Sequence, residues 1–424
     1  MSLEATKQNS PAVSFNPQAP SYDANPYPVL DELRTKTPLV YWEQGRGWLL
    51  SRYEDAIAVL RDAKRFTPNR DMWEFASVLG NAAMIPELTE LNKTGLFALS
   101  GTDHARVRKL VSPALTPRAI ERLKPEVQAL IDEVIDEAAV KGTINVISDL
   151  ADRIPARVIG SMLKIPKGRE TLFQRFTEAS IKNFLPGMLR AEEIEGLRAD
   201  IREGIALVRE TIEDRRKNPL PDDILTTLIQ TEEQGDRLST NELLSLVAAL
   251  IVGGFETTVH LIGFTTYNVL QRPELRAQLK TEPELLKNVI EEVLRFDNFG
   301  KIGVARYALE DVELSGQTIK KGQMVLIMLN SALRDETVFP KADTFDVRRN
   351  TNASIAFGHG VHYCLGANWR GWRCSSPWAR SCSATRTCSW CARPRSLPIP
   401  SSAGWRRSRS RCARSNGHPA RVPW

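Results

Sequence analysis

The residues best suited to chemistry sit in one short stretch, Phe357-Gly358-His359-Gly360-Val361-His362-Tyr363-Cys364-Leu365-Gly366. It contains Phe-x-x-Gly-x-x-x-Cys-x-Gly, an order that average residue usage produces by chance in fewer than roughly one chain in a thousand. Cys364 is the sole cysteine of the first 368 residues. A thiolate is both a nucleophile and a metal ligand. Glycines beside it let backbone N–H groups approach the sulfur, and such bonds set the basicity of a ligand. The competing reading is a buried structural cysteine beside a turn, a common fate for a lone thiol. The flanking glycines and Phe357 favour the ligand.

Two further groupings carry chemistry. Gly253-Gly254-Phe255-Glu256-Thr257-Thr258 lies inside a long helical pattern, where each glycine costs about 1 kcal/mol relative to alanine. Close helix packing would explain the glycines, and threonines often bond back to their own helix. A helix widened over a small-molecule pocket, with a carboxylate and a hydroxyl for proton transfer, explains them equally. Glu292 and Arg295 are three apart on one helix face. As a solvated pair they would contribute about 0.2–0.5 kcal/mol; as a buried pair they would hold a core together.

These groups need helices to position them. Apolar residues at three- and four-residue spacing predict helices over Tyr27–Lys36, Glu54–Arg61, Asp103–Ala114, Arg118–Val140, Asp152–Leu163, Arg169–Asn183 and Ala191–Lys217. A long helix capped by Thr240 runs to about Gln271, and Pro273 and Pro283 open two more. Leu39–Tyr41 and Trp48–Leu50 form a predicted hairpin, and Ile302–Tyr307 and Met324–Leu329 read as strands, with Gly316 and Gly322 at turns. Residues 71–98 show no lasting period and read as a long apolar loop. The expected class is mainly α with small β-sheets.

The chain has 424 residues, 42% hydrophobic and 25% charged, which is ordinary for a globular protein. The first twenty residues are polar and proline-containing, unlike a signal peptide. The longest apolar run, Leu246 to Phe255, is too short to span a bilayer. The net charge of +6 misleads, because residues 369–424 hold 12 Arg and no Asp, Glu or Lys. Without those 12, the other 45 basic residues face 51 acidic ones, a net of −6. That body gives no support for nucleic-acid binding, and its single cysteine suits a reducing cytoplasm.

The cysteine loop resembles the haem-binding loop of the cytochrome P-450 family, bacterial type without a membrane anchor, and the resemblance runs from about Asn25 to Ala367. It implies a single triangular, mostly helical fold with haem b as cofactor and Cys364 as the iron ligand. It also implies cofactor contacts from Phe357, Gly358 and Gly366. A thiolate on haem iron favours O–O cleavage, so the implied reaction is insertion of one oxygen atom of O2 into a C–H or C=C bond. Glu256 and Thr257 resemble the family's acid–alcohol pair, which supplies protons. Glu292 and Arg295 resemble its buried structural ion pair. His104 with Arg108, and Arg306 with His362, resemble the residues that hold the two haem propionates.

No segment looks like a flavin or iron–sulfur domain, so electrons from NAD(P)H would arrive through a ferredoxin and its reductase. Arg106 and Lys109 are offered as that partner's contacts. The implied protein is a cytoplasmic monomer without membrane or nucleic-acid partners. Asp103-His-Ala-Arg-Val-Arg-Lys-Leu-Val111, Glu292-Val-Leu-Arg-Phe-Asp-Asn298 and Ser331-Ala-Leu-Arg-Asp335 resemble macrolide-epoxidising members of the family. A large apolar, polyketide-like substrate is therefore expected, lined by Trp73, Phe75, Phe97, Gly253, Phe299 and Ile302. Fatty-acid or terpenoid hydroxylation is the alternative.

Three stretches are expected: a flexible arm over 1–22, the haem domain over 23–368, and an anomalous tail over 369–424. The tail holds six of the nine tryptophans but one Leu, one Ile and one Val. Either it is a basic disordered tail or it is an out-of-frame reading of GC-rich DNA. Restoring one base before the Trp369 codon lets Trp-Arg-Gly-Trp-Arg decode as Leu-Ala-Arg-Leu-Glu, which resembles the family's next helix. A chain altered there would be a haem-binding but inactive copy.

Overall fold

The computed structural model describes residues 15–76, 86–140, 143–184, 191–233, 235–298 and 303–369. Elements α1 (Pro20–Ala24) and α2 (Tyr27–Lys36) lead into a hairpin, β1 (Leu39–Trp42) and β2 (Gly47–Leu50). Then come α3 (Tyr53–Arg61) and β3 (Phe66–Thr67). A helical run follows: α4 (Pro86–Lys93), α5 (Gly101–Val111), α6 (Pro117–Ala139), α7 (Arg153–Met162), α8 (Glu170–Phe184), α9 (Ala191–Lys217) and α10 (Ile224–Gln230). After a two-stranded ribbon, β4 (Glu232–Glu233) and β5 (Asp236–Arg237), come α11 (Thr240–Gln271), α12 (Pro273–Thr281) and α13 (Leu286–Phe296). The chain returns as strands β6 (Val304–Ala308), β7 (Val312–Leu314), β8 (Gln317–Ile319) and β9 (Met324–Ile327), then a short α14 (Leu329–Ala332).

The main sheet has the order β1-β2-β9-β6-β3. Its β2–β9 pair is parallel, with Gly47 opposite Met324 and Leu50 opposite Ile327. The β9–β6 pair is antiparallel, with Arg306 opposite Val325. Ser315 and Gly316, both at positive φ (47° and 75°), make the tight turn between β7 and β8.

α11 is the organising helix. Ser239, not Thr240, is its N-cap: the Ser239 side chain accepts from the Glu242 N–H while Glu242 reaches back to the Ser239 N–H, a reciprocal capping box. The longest unbroken apolar run is short, but the helix as a whole is long and apolar enough, by length and composition, to cross a membrane. Half of that apolar window is buried, packed by α7, α8, α9 and α13, as befits a core helix.

The structure departs from the sequence reading in three more places. Residues 15–22 are not a free arm, because Phe15 and Tyr22 are buried beside Trp42, Trp73 and Met324. The stretch expected as a loop over 71–98 contains α4. The helix expected to open at Pro283 starts with one tight turn, Pro283–Leu285, before α13 begins.

Candidate active site

The cysteine loop is shaped by backbone that only glycine adopts easily. Gly358 and Gly360 have φ of 71° and 72°. A Cβ on Gly360 would lie 2.5 Å from the Leu60 carbonyl oxygen at the end of α3. The loop folds back so that the Cys364 N–H donates to the Phe357 carbonyl (3.0 Å) and the Tyr363 N–H to that of Gly360 (3.0 Å). Gly366 places its Cα hydrogens toward the thiol, since a Cβ there would be 3.7 Å from Cys364 Sγ. The loop is tied to its surroundings twice. Arg61 Nε donates to His359 Nε2 (2.8 Å), and Arg108 Nη2 donates to the Tyr363 carbonyl (2.6 Å). Cys364 itself is exposed, an accessible thiol in a fixed turn rather than a packed core cysteine.

Four basic side chains converge beside this loop from three elements. His104 and Arg108 stand one turn apart on α5, Arg306 comes from β6, and His362 from the loop. The two imidazoles lie 4.0 Å apart, centroid to centroid. Burial lowers the His104 pKa, with Arg108 and Arg306 adding to the effect. His362 is pushed down to about 3 by burial, then by His104, Arg306 and Arg108. Burial likewise brings Arg306 down to about 10, although its Nη1 donates to the Ala305 carbonyl (2.9 Å). Among the described residues no carboxylate pairs with any of the four. Both imidazoles are held neutral, so the charges here are Arg108 and the buried Arg306; a buried charge is normally paired, and this one has room for an anion from a bound group. The cluster fits the two carboxylates of a porphyrin, with Cys364 at hand for the iron.

On α11, the Thr257 hydroxyl donates to the Gly253 carbonyl (2.6 Å) and the Thr258 hydroxyl to that of Gly254 (2.7 Å). A Cβ on Gly253 would sit 3.5 Å from Phe97 Cζ, so Gly253 leaves room where an exposed aromatic ring meets the helix. Glu256 and Thr257 are half-buried side by side.

Arg295 is fully buried and Glu292 nearly so. They form a bidentate pair, Nε to Oε2 at 2.8 Å and Nη2 to Oε1 at 2.7 Å. Arg295 also donates to the carbonyls of Leu333 (3.1 Å), Ala342 (2.8 Å) and Thr344 (3.2 Å). Glu292 further accepts the Asp346 N–H (2.9 Å) and Arg349 Nε (3.3 Å). The pair thus fastens α13 to residues 333–349, which lead into the cysteine loop.

Other expectations fare differently. Trp73 is 8% exposed, faces Tyr307 and reaches the Arg46 carbonyl through its indole N–H (3.4 Å). Phe75 packs edge-on against Trp73 under the Arg46 guanidinium. Trp73 belongs to the sheet-side core and the partly exposed Phe75 packs against it. Phe299 and Ile302 lie outside the described residues. Arg106, its side chain 35% exposed, is shared within the chain between Asp236 (3.2 Å) and Glu242. Sequence reasoning did not reach Arg349, Arg61 or His260, whose partners are distant in the chain or are backbone atoms. The approach of Gly360 to the Leu60 carbonyl was not reached either, since the glycines were read as serving the sulfur.

The sequence profile of the cytochrome P450 family matches residues 74–369. The chain belongs to the cytochrome P450 family. It is 45% identical over 363 residues to epothilone C/D epoxidase of Sorangium cellulosum, covering 85% of this chain and 86% of that protein. It is 38% identical over 324 residues to mycinamicin IV hydroxylase/epoxidase of Micromonospora griseorubida, covering 76% and 77%. The structure of epothilone B-bound cytochrome P450epoK superposes with a TM-score of 0.80 at 44% identity, covering 87% of this chain and 91% of that one. This P450 is a haem-thiolate monooxygenase. A bound haem would supply the oxidising chemistry, in which one atom of O2 enters the substrate and the other, with two electrons and two protons, leaves as water.

Proposed function

We propose that this P450 oxidises a large apolar macrolide or related polyketide, by epoxidation or hydroxylation. Cys364 provides the thiolate ligand, and Phe357, Gly358 and Gly366 shape the loop around it. His104 with Arg108, and Arg306 with His362, hold the propionates. Glu256 holds and passes protons, and the Thr257 hydroxyl orients them toward the face of α11 opened by Gly253. Phe97, exposed beside Gly253, contacts substrate. Electrons come from NAD(P)H through a ferredoxin and its reductase, and the protein works as a cytoplasmic monomer without membrane or nucleic-acid partners.

The observation that carries the haem site is the cluster of four basic side chains, with no carboxylate partner among the described residues, beside an exposed cysteine. The substrate class rests on the 45% identity to a macrolide epoxidase. The test is spectroscopic. The dithionite-reduced protein under carbon monoxide is expected to show the red-shifted Soret band of a thiolate-ligated haem, and Cys364→Ser is expected to lose it. Addition of a macrolide is then expected to shift the resting Soret band. A shift with fatty acids or terpenoids alone would overturn the macrolide assignment. A second reading, a haem-binding but inactive copy, draws on the Arg- and Trp-rich composition of 369–424. A normal carbon-monoxide band without product formation would favour it.

A further inference from the structure

His260 is a histidine of the described chain that neither the ligand loop nor the propionate cluster uses. It follows Gly253 and Thr257 at spacings of four and three, so the three share one stripe of α11, and Phe264 continues it four residues on. At 100° per residue, His260 projects between Glu256 and Thr257, one turn further along. Its Nδ1 lies 2.8 Å from the Glu256 carbonyl oxygen. A carbonyl can only accept, so Nδ1 carries the hydrogen and the neutral ring is the Nδ1–H tautomer. Phe264 stacks on the ring at 6.2 Å and 27°, which fixes its plane.

Three side chains therefore feed hydrogen bonds into the carbonyls of Gly253, Gly254 and Glu256 within four consecutive residues. A side-chain donor at an i−4 carbonyl competes with the helical N–H for it and bends the helix locally. The bond from His260 falls on the backbone of the acidic residue itself.

We propose that His260 is a positioning residue for the Glu256–Thr257 proton relay, acting through its Nδ1–H bond to the Glu256 carbonyl. The inference rests on reading Glu256 and Thr257 as that relay. His260 sets the tilt of the peptide that carries Glu256, and hence where the carboxyl stands relative to the Thr257 hydroxyl.

Two variants separate the bond from the bulk of the ring. His260→Asn keeps a donor at the position of Nδ1. His260→Phe keeps the ring and its stack on Phe264 but has no donor. Nitrogen NMR of histidine-labelled protein is expected to show His260 as the Nδ1–H tautomer. In His260→Phe the backbone N–H of position 260 no longer shares the Glu256 carbonyl, so its exchange in the resting protein is expected to slow about fivefold, the factor that a hydrogen bond of ordinary strength is worth. The fraction of reducing equivalents recovered in product, rather than as hydrogen peroxide, should fall by a similar factor at unchanged KM. His260→Asn should stay within about twofold of the parent in both readouts. An Nε2–H tautomer, an unchanged Phe variant, or an Asn variant as impaired as the Phe variant would each overturn the inference. Thr257→Ala distinguishes the two levels. If it releases peroxide while His260→Phe does not, the inference alone fails; if it remains fully coupled, the relay reading fails and takes the inference with it.

Discussion

Replacing Glu292 by Gln tests how the haem-side core is held. The change keeps shape and removes one negative charge. Arg295, fully buried, would keep its bonds to the Leu333, Ala342 and Thr344 carbonyls but lose its counter-charge. Arg349, which also grips the carbonyls of Pro340 and Lys341, would lose the same carboxylate. Breaking a buried pair from one side costs about 3–5 kcal/mol, against a total stability of about 5–15 kcal/mol. Glu292→Gln is therefore expected to lower the urea midpoint substantially at unchanged slope, with circular dichroism and tryptophan fluorescence moving together. The double variant Glu292→Met/Arg295→Met sharpens the test. Replacing an isolated ion pair by apolar residues often restores stability. Here the three carbonyls would be orphaned, at about 1–3 kcal/mol each, so no restoration is expected. A loss below about 1 kcal/mol in the single variant, or parental stability in the double, would refute the reasoning.

Other predictions follow from single contacts. Arg306→Ala is expected to weaken haem retention, read as the haem-to-protein ratio after gel filtration, while Arg106→Ala leaves that ratio unchanged. Gly360→Ala must force a Cβ against the Leu60 carbonyl at positive φ; about 1–3 kcal/mol of backbone strain plus the clash should lower the thermal midpoint and the carbon-monoxide band together. Burial raises the Glu87 pKa, but bonds from its own backbone N–H, Arg202 and Arg198 outweigh that and bring it down to about 2. Because the folded pKa lies below the unfolded one, this clamp between α4 and α9 stabilises fully above about pH 4.5 and is lost as pH falls toward 2. Hydrogen exchange in α4 should accelerate across that window in the parent and already be fast at neutral pH in Glu87→Gln. Restoring one base before the Trp369 codon should raise haem occupancy of the purified protein; equal occupancy in both forms would count against an out-of-frame reading of 369–424.

The helices were legible because apolar spacing records which face is buried: α2 and α9 begin and end where the pattern did. The cap of α11 was misplaced by one residue, although Ser239-x-x-Glu242 spells the reciprocal cap. The buried Glu292–Arg295 pair was legible only through the family resemblance, since the spacing alone reads equally as a solvated pair. What Arg295 holds was not, because the carbonyls of Leu333, Ala342 and Thr344 belong to backbone that any residue supplies. Trp73 shows the opposite limit. An aromatic residue in an unpatterned stretch is apolar whichever side it packs on, and only the meeting with Tyr307 decides. Arg106 read as a free surface charge because its acceptors, Asp236 and Glu242, lie far along the chain.

The parallel pairing of Gly47–Leu50 with Met324–Ile327 has a consequence for biosynthesis. Translation proceeds at about 5–20 residues per second, so the first of these strands leaves the ribosome on the order of tens of seconds before its neighbour. Until then it has only the hairpin with Leu39–Trp42, and a lone two-stranded ribbon is marginal in water. An unpaired edge is a template for wrong partners, so the nascent amino-terminal part is open to mispairing until Met324–Ile327 arrives. The strand that ends the wait also pairs with the one bearing Arg306. Sheet closure thus fixes the strand of Arg306 late, and the anion-holding cluster is complete only after a further 35 residues beyond Ile327 bring in His362; a ribosome-stalled chain ending before Met324 would lack both.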